Sequence, residues 1–203
     1  DEIRIWIAGC ATGEEAYSIG ILFLEYLEEF GKICKLQIFA TDIDIHALGV
    51  ARTGVYSESA ISEMKNEYVE KYFKHKDSTY EVTKLLRDSV IFAKQDLTYD
   101  PPFLKLDLIT CRNVLIYFNS ELQSKVLNMF HYALHAEGYL FLGRSESIGV
   151  NSERQIIDGL KKTVLEMCEN TPDHVYEKTD LLQRFKLNTC EDDNLYRGFE
   201  QGI

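Results

Sequence analysis

The chain has 203 residues, with 33 acidic against 22 basic side chains and a formal net charge of −11. Hydrophobic residues make up 45% and aromatics 12%, a globular balance that argues against global disorder. So acidic a chain argues against nucleic-acid binding, which needs clustered Lys and Arg, and no apolar run approaches the roughly 18 residues of a membrane span. One sizeable core is expected, with room for a small appendage. No basic and apolar leader opens the sequence, so no signal peptide is visible in it, and because Asp1 is not an initiator Met it reads as a fragment of a longer chain. The five cysteines (Cys10, Cys34, Cys111, Cys168 and Cys190) are odd in number and contain no CxxC. They read as reduced thiols of a cytoplasmic protein, not as a disulfide framework or a zinc site.

Residues 3–8 (IRIWIA) form a short apolar run and read as a buried parallel strand. Residues 12–31 read as a helix, with Thr12 and Glu15 as a capping box and Gly31 at its C-terminal end. A second strand, 36–40, runs into Thr41-Asp42-Ile43-Asp44 and a short helix that ends near Gly54. This strand–helix–strand–helix order implies a parallel α/β sheet with right-handed crossovers. Residues 57–73 carry helical apolar spacing at Ile61, Met64, Tyr68, Val69, Tyr72 and Phe73. Residues 80–83 and 90–93 are β-prone; both fit a small antiparallel extension, and the second fits a core strand equally well. Residues 106–111 (LDLITC) are a buried strand. Residues 119–136 are expected to be helical, with Ser120 and Gln123 as a capping box and Gly138 closing the helix. Strands are expected at 139–142 and 163–168. Past residue 170 the chain is a polar, acidic tail that the pattern does not place.

The first chemical motif is Gly9-Cys10-Ala11-Thr12-Gly13-Glu14-Glu15, a glycine-bearing turn between strand and helix. A helix N-terminus favours a carboxylate or phosphate, and Gly9 would let a ligand approach the backbone. The spacing is GxxxG rather than GxGxxG, which disfavours a dinucleotide. S-adenosylmethionine suits the turn better, with its carboxylate at the helix N-terminus and Glu15 facing its cationic half. Plain turn glycines and a capping Glu15 explain the same residues. Asp42, at the end of the second strand, is placed to accept from both hydroxyls of a ribose, while Asp44 is expected to cap the next helix. In Gln95-Asp96-Leu97, Asp96 could accept from an adenine amine under the cover of Leu97; an Asx turn is the plainer reading. Asp100-Pro101-Pro102-Phe103 resembles the motif of DNA amino-methyltransferases, but it precedes the strand it should follow and reads as a rigid turn. Arg112 and Asn113 leave the strand 106–111 at the edge where open α/β sheets bind ligands, and Tyr117 follows. A buried Arg and a core Tyr are the alternative. His131 and His135 are spaced as a helical metal pair but lack a third ligand, so no metal is expected. Residues 143–147 do not form a serine-hydrolase elbow.

In this order, IWIAGCATGEEAYSI (5–19), IFATDIDIHAL (38–48), DLITCRNVLIYF (107–118) and GYLFLGRSES (138–147) resemble the CheR family of chemotaxis receptor glutamate methyltransferases. FAKQDLTYDPPF (92–103) is most similar to CheR modules fused to methylesterase and sensor domains. The resemblance covers residues 3–168. It implies an α/β fold, a Rossmann-like class I SAM-dependent methyltransferase sheet with a small antiparallel β-subdomain inserted at about 55–92. The catalytic domain would then span 1–170, followed by a 171–203 tail without a family counterpart. The family's N-terminal helical subdomain, which supplies an arginine near the methyl group, has no counterpart in this sequence. The resemblance puts cofactor contacts on Gly9, Glu15, Asp42, Asp96, Leu97, Cys111 and Arg112, with Asn113 sharing their edge, and the active-site tyrosine on Tyr117, aided by Arg112.

The implied reaction moves a methyl group from S-adenosylmethionine to glutamates on the cytoplasmic domains of chemotaxis receptors, leaving S-adenosylhomocysteine and a glutamyl methyl ester. The short stretch 74–80 implies docking independent of a receptor pentapeptide, without membrane insertion. A non-catalytic S-adenosylmethionine-binding or docking module of a larger signalling protein is the rival expectation.

Overall fold

The computed structural model describes residues 2–143. In chain order it contains β1 (Glu2–Ala8), α1 (Glu14–Glu29), β2 (Lys35–Asp42), α2 (Ile45–Thr53), β3 (Val55–Ser57), α3 (Glu58–Ile61), α4 (Asn66–Tyr72), β4 (Phe73–Lys76), β5 (Thr79–Val82), α5 (Lys84–Arg87), β6 (Val90–Lys94), β7 (Leu106–Cys111), α6 (Ser120–Ala133) and β8 (Leu134–Leu142). A 3-10 turn, Leu115–Tyr117, lies between β7 and α6.

Five parallel strands make the main sheet in the order β6-β2-β1-β7-β8. The chain runs outward from β1 through β2 to β6, then returns past β1 to lay down β7 and β8. The order therefore reverses at β1, and in open α/β sheets the crevice at the carboxyl ends beside such a reversal is where ligands bind. Alternation along β1 divides the core. Ile3, Ile5 and Ile7 pack with residues of α1, and Trp6 and Ala8 pack with Val126, Phe130 and Ala133 of α6. Trp6 is fully buried, so its indole N–H needs a partner; it donates to Thr41 Oγ1 at 2.8 Å. Phe103 and Phe130 meet its ring edge-on at 5.5 and 5.3 Å.

The small sheet is antiparallel, in the order β3-β5-β4. Residues 90–93 belong instead to β6, on the edge of the main sheet beside β2. One phenol ties the small sheet to the glycine turn, and a second ties α1 to α2. Tyr56 donates to the Thr12 carbonyl at 2.9 Å and Tyr17 to that of Ala51 at 3.0 Å. Burial pushes the Tyr17 phenol up to about 12 and raises that of Tyr56 as well, so both remain protonated donors. On the outer side, Lys71 of α4 pairs with Glu25 and Glu28 of α1, and the Tyr72 hydroxyl donates to Glu25 at 2.7 Å.

Several local expectations are corrected. The helix expected at 57–73 is two short helices, α3 and α4, separated by residues 62–65. Ser57 caps α3, Ser62 donates back to the Ser59 carbonyl, and extended Lys65 starts α4. Serine side chains compete here for the backbone groups a continuous helix would need, and Ile61, Met64 and Tyr72 are buried all the same. No Thr12–Glu15 capping box forms. The N-cap of α1 is Gly13, and the Thr12 hydroxyl donates to the Glu14 carboxylate. Likewise Asn119, not Ser120, caps α6, while Gln123 donates to the carbonyls of Leu115 and Phe118.

Helix α6 ends at Ala133 rather than 136, because Leu134 already pairs with Leu106 as the first residue of β8. Gly138 therefore sits inside a strand, where a Cβ would lie 2.6 Å from the Leu106 carbonyl oxygen. His131 and His135 fall on different elements, so the helical pair does not exist. Gly31 and Asp44 cap as expected. The expected strand at 163–168 and the 171–203 tail lie outside the described residues. Among the described residues no helix is long and apolar enough to cross a membrane.

The Glu25 cluster makes docking of the small sheet sensitive to acid. Burial alone would raise the Glu25 pKa, but the Lys71 and Tyr72 hydrogen bonds outweigh it and lower the pKa. A carboxyl whose folded pKa is depressed stabilises fully above its unfolded value of about 4.3 and loses that contribution as pH falls through the folded value. Amide exchange in α4, β4 and β5 should therefore accelerate below about pH 4.3 before exchange in the main sheet does. Glu25→Gln should show the faster exchange at neutral pH. Equal protection of both sheets across this range contradicts the assignment.

Candidate active site at the carboxyl edge of the sheet

The turn after β1 is held by its neighbour. The N–H groups of Gly9 and Cys10 both donate to the Thr41 carbonyl, at 2.8 and 2.9 Å. Gly9 has φ +81, and a Cβ there would lie 2.3 Å from Val114 Cγ2. The missing side chain thus makes room for Val114 of the segment after β7. Cys10 is buried, and burial followed by the Asp42 carboxylate raises its thiol pKa, so it is no nucleophile. Gly13 enters α1 at φ +92, and no side chain caps the helix N-terminus.

The Asp42 carboxylate accepts from the N–H of Ala11 at 2.8 Å through one oxygen and from that of Asp44 at 2.9 Å through the other. Each oxygen retains a further lone pair. After β6, the Gln95 N–H donates to the Asp42 carbonyl at 3.0 Å. Asp96 Oδ1 accepts from both the N–H and the hydroxyl of Thr98, and the Asp96 N–H donates to Asp100. These Thr98 bonds, side chain first, depress the Asp96 pKa and make the segment an Asx turn. Leu97 is buried in the α6-side core. Asp100-Pro101-Pro102-Phe103 is structural: Asp100 holds Asp96, the Pro101 carbonyl accepts from Gln95, and Phe103 stacks on Phe39 at 4.3 Å.

At the end of β7, Thr110 Oγ1 donates to Glu15 Oε1 at 2.7 Å, and Arg112 Nη1 lies 3.8 Å from Glu15 Oε2. The Arg112 guanidinium also lies over the Phe141 ring at 5.7 Å. Cys111 is fully buried in the α6-side core. Asn113 is exposed, with a left-handed backbone at φ +58, a conformation Asn tolerates better than most side chains. Tyr117 is 81% exposed on the 3-10 turn.

Residues distant in sequence thus meet at one edge. Gly9 and Asp42 are joined through the first turn, and Glu15 and Arg112 across α1 and β7, with Cys111 beneath. Asp96 belongs to the adjoining loop. Asn113 and Tyr117 stand exposed on the rim. Sequence reasoning missed Thr41, Val114 and Thr110. The signal for Thr110 was strand alternation, since it shares a face with Leu108, which packs on the α1-side core.

The residues fit S-adenosylmethionine by their donor set. An uncapped helix N-terminus suits a carboxylate, the Glu15 carboxylate an ammonium, and the spare Asp42 lone pairs a vicinal diol. Gly9→Ala should cost about 1–3 kcal/mol, from its positive φ and the overlap with Val114. Urea unfolding measures it, and a loss near zero would show that Val114 does not pack as described.

Residues 1–164 match the model of the CheR methyltransferase, SAM binding domain. The chain is 40% identical over 159 residues to the chemotaxis protein methyltransferase of Borreliella burgdorferi, covering 77% of this chain and 56% of that protein. It is 36% identical over 150 residues to chemotaxis protein methyltransferase 2 of Vibrio cholerae, covering 72% and 52%. It is also 41% identical over 146 residues to an uncharacterized 104.1 kDa protein of Rhodobacter capsulatus, covering 72% of this chain and 15% of that one. Among solved structures, it overlaps an S-adenosylmethionine-dependent methyltransferase from Clostridium acetobutylicum at TM-score 0.38 and 18% identity, covering 70% of this chain and 42% of that one. The chain thus spans about half the length of the chemotaxis methyltransferases it matches. With the parallel sheet, the edge constellation and the match over 1–164 in agreement, the chain belongs to the CheR methyltransferase family and carries that family's S-adenosylmethionine-binding domain.

Proposed function

We propose that this domain serves methyl transfer from S-adenosylmethionine to glutamate side chains on the cytoplasmic domains of chemotaxis receptors, forming glutamyl methyl esters. The observation that carries the reading is the convergence of Gly9, Glu15, Asp42 and Arg112 at the carboxyl edge of the sheet, in a chain of this family. When bound, S-adenosylmethionine supplies an electrophilic methyl group on a sulfonium.

The chain's own residues bind, orient and exclude water. Asp42 accepts from the ribose hydroxyls, Glu15 receives the ammonium, and the α1 N-terminus receives the carboxylate. The loop after β6 borders the adenine, with Asp96 accepting from its amine and Leu97 beneath. Asn113 and the segment around Cys111 complete the edge. A glutamate with a pKa near 4.3 is already ionised at neutral pH, so no general base is required. A sulfonium and a carboxylate combine to neutral products, so a site that sheds water lowers the barrier, and in-line alignment supplies much of the rest. Arg112 and the exposed Tyr117 hydroxyl hold the incoming carboxylate.

The domain acts in the cytoplasm, without a metal and without membrane insertion. Its receptor docking does not need a pentapeptide: β4 and β5 are joined by a tight turn at Asp77 and Ser78, which leaves the small sheet little loop for a tether. It works as a module of a larger protein, a reading supported by the Rhodobacter relative, where the matching segment is 15% of the length.

Tyr117→Phe should slow turnover on receptor cytoplasmic domains roughly 10- to 30-fold, the value of one lost hydrogen bond to a charged group, with donor affinity nearly unchanged. Labelled-methyl incorporation and calorimetry together measure this. Weakened donor binding with an unchanged chemical step would remove Tyr117 from the assigned role.

A further inference from the structure

We propose that Thr110 is a positioning residue that fixes the Glu15 carboxylate for the ammonium group of the methyl donor's amino-acid half. The inference rests on the methyl-donor reading above and goes beyond it by naming what holds Glu15.

Thr110 is 1% exposed and one residue from the end of β7. Its side chain lies on the α1 side of the sheet, and a hydroxyl buried there needs an acceptor. Glu15 Oε1 is that acceptor, at 2.7 Å and 95 residues away in sequence. Arg112 Nη1, at 3.8 Å from Oε2, is beyond hydrogen-bond length, so of these two contacts the short, directional one is Thr110. A glutamate side chain has three rotatable bonds, and fixing it before the ligand arrives removes an ordering cost from binding. A charge-assisted bond between this carboxylate and an ammonium donor is sensitive to small displacements of the acceptor.

The test separates positioning from general support of the fold. S-adenosylmethionine and S-adenosylhomocysteine both carry the ammonium group, whereas 5′-methylthioadenosine keeps the adenosine and sulfur and lacks the amino-acid end. Thr110→Val should weaken S-adenosylmethionine and S-adenosylhomocysteine alike, by roughly 5- to 20-fold in calorimetry, and leave 5′-methylthioadenosine within about twofold of wild type. Thr110→Ser keeps the hydroxyl and should restore wild-type affinities for all three. Parallel loss of all three ligands in the valine variant, or no loss of any, overturns the proposal. So does a Thr110→Ser protein that binds S-adenosylhomocysteine as weakly as Thr110→Val. Should the valine variant not fold, Thr110→Ala is read by the same ratio, and the serine result still decides. If the wild-type chain binds neither donor nor product, the methyl-donor reading itself fails; if it binds both and the ratio does not move, only the Thr110 assignment fails.

Discussion

Thr41 ties the carboxyl edge of this sheet together, and the geometry of the candidate site depends on it. Its hydroxyl accepts the indole N–H of the fully buried Trp6, and its carbonyl accepts from Gly9 and Cys10. All three bonds link β2 to β1 or to the turn that follows it, so the core under β1 and the glycine turn at its end are fixed by one residue of the neighbouring strand. Asp42, the next residue, continues the arrangement by accepting from Ala11. A turn held this way cannot drift without leaving a buried indole N–H or two backbone N–H groups unpaired, and each such orphan costs on the order of 1–3 kcal/mol.

Val114 adds a second constraint, from the other side of β1. Packed where a Cβ on Gly9 would sit, it sets the height of the segment that carries Arg112, Asn113 and Tyr117 above the sheet. The glycine turn therefore lies between Thr41 and Val114, and Glu15 is held against β7 by Thr110. Preorganisation of this kind matters for a methyl transfer, in which no proton needs to move and rate comes largely from alignment and exclusion of water.

Much of this was legible in the sequence, and for physical reasons. The buried strands β1, β2 and β7 are apolar runs, Gly31 and Asp44 sit where helix ends need them, and the acids and glycines of the crevice fall at strand ends. What was not legible depends on partners remote in sequence. The helical spacing at 57–73 is real, but serine back-bonding and the small sheet divide the segment into α3 and α4. The capping boxes at Thr12 and Ser120 have the right letters one residue out of place, because Gly13 and Asn119 take the cap positions. Gly9 was legible as a required glycine, yet the cause, Val114, lies 105 positions away and leaves no local trace. The helix expected to run to 136 stops at Ala133 for the same reason, since Leu134 was already paired to Leu106.

The most direct test of the account is the crystal structure of this chain grown with S-adenosylhomocysteine. The account predicts the ribose hydroxyls at Asp42, the ammonium at Glu15 and the carboxylate at the N-terminus of α1, with the Thr41 bonds to the glycine turn unchanged. Product bound elsewhere, or a crevice between Gly9 and Asp42 that stays empty at saturating ligand, would contradict it.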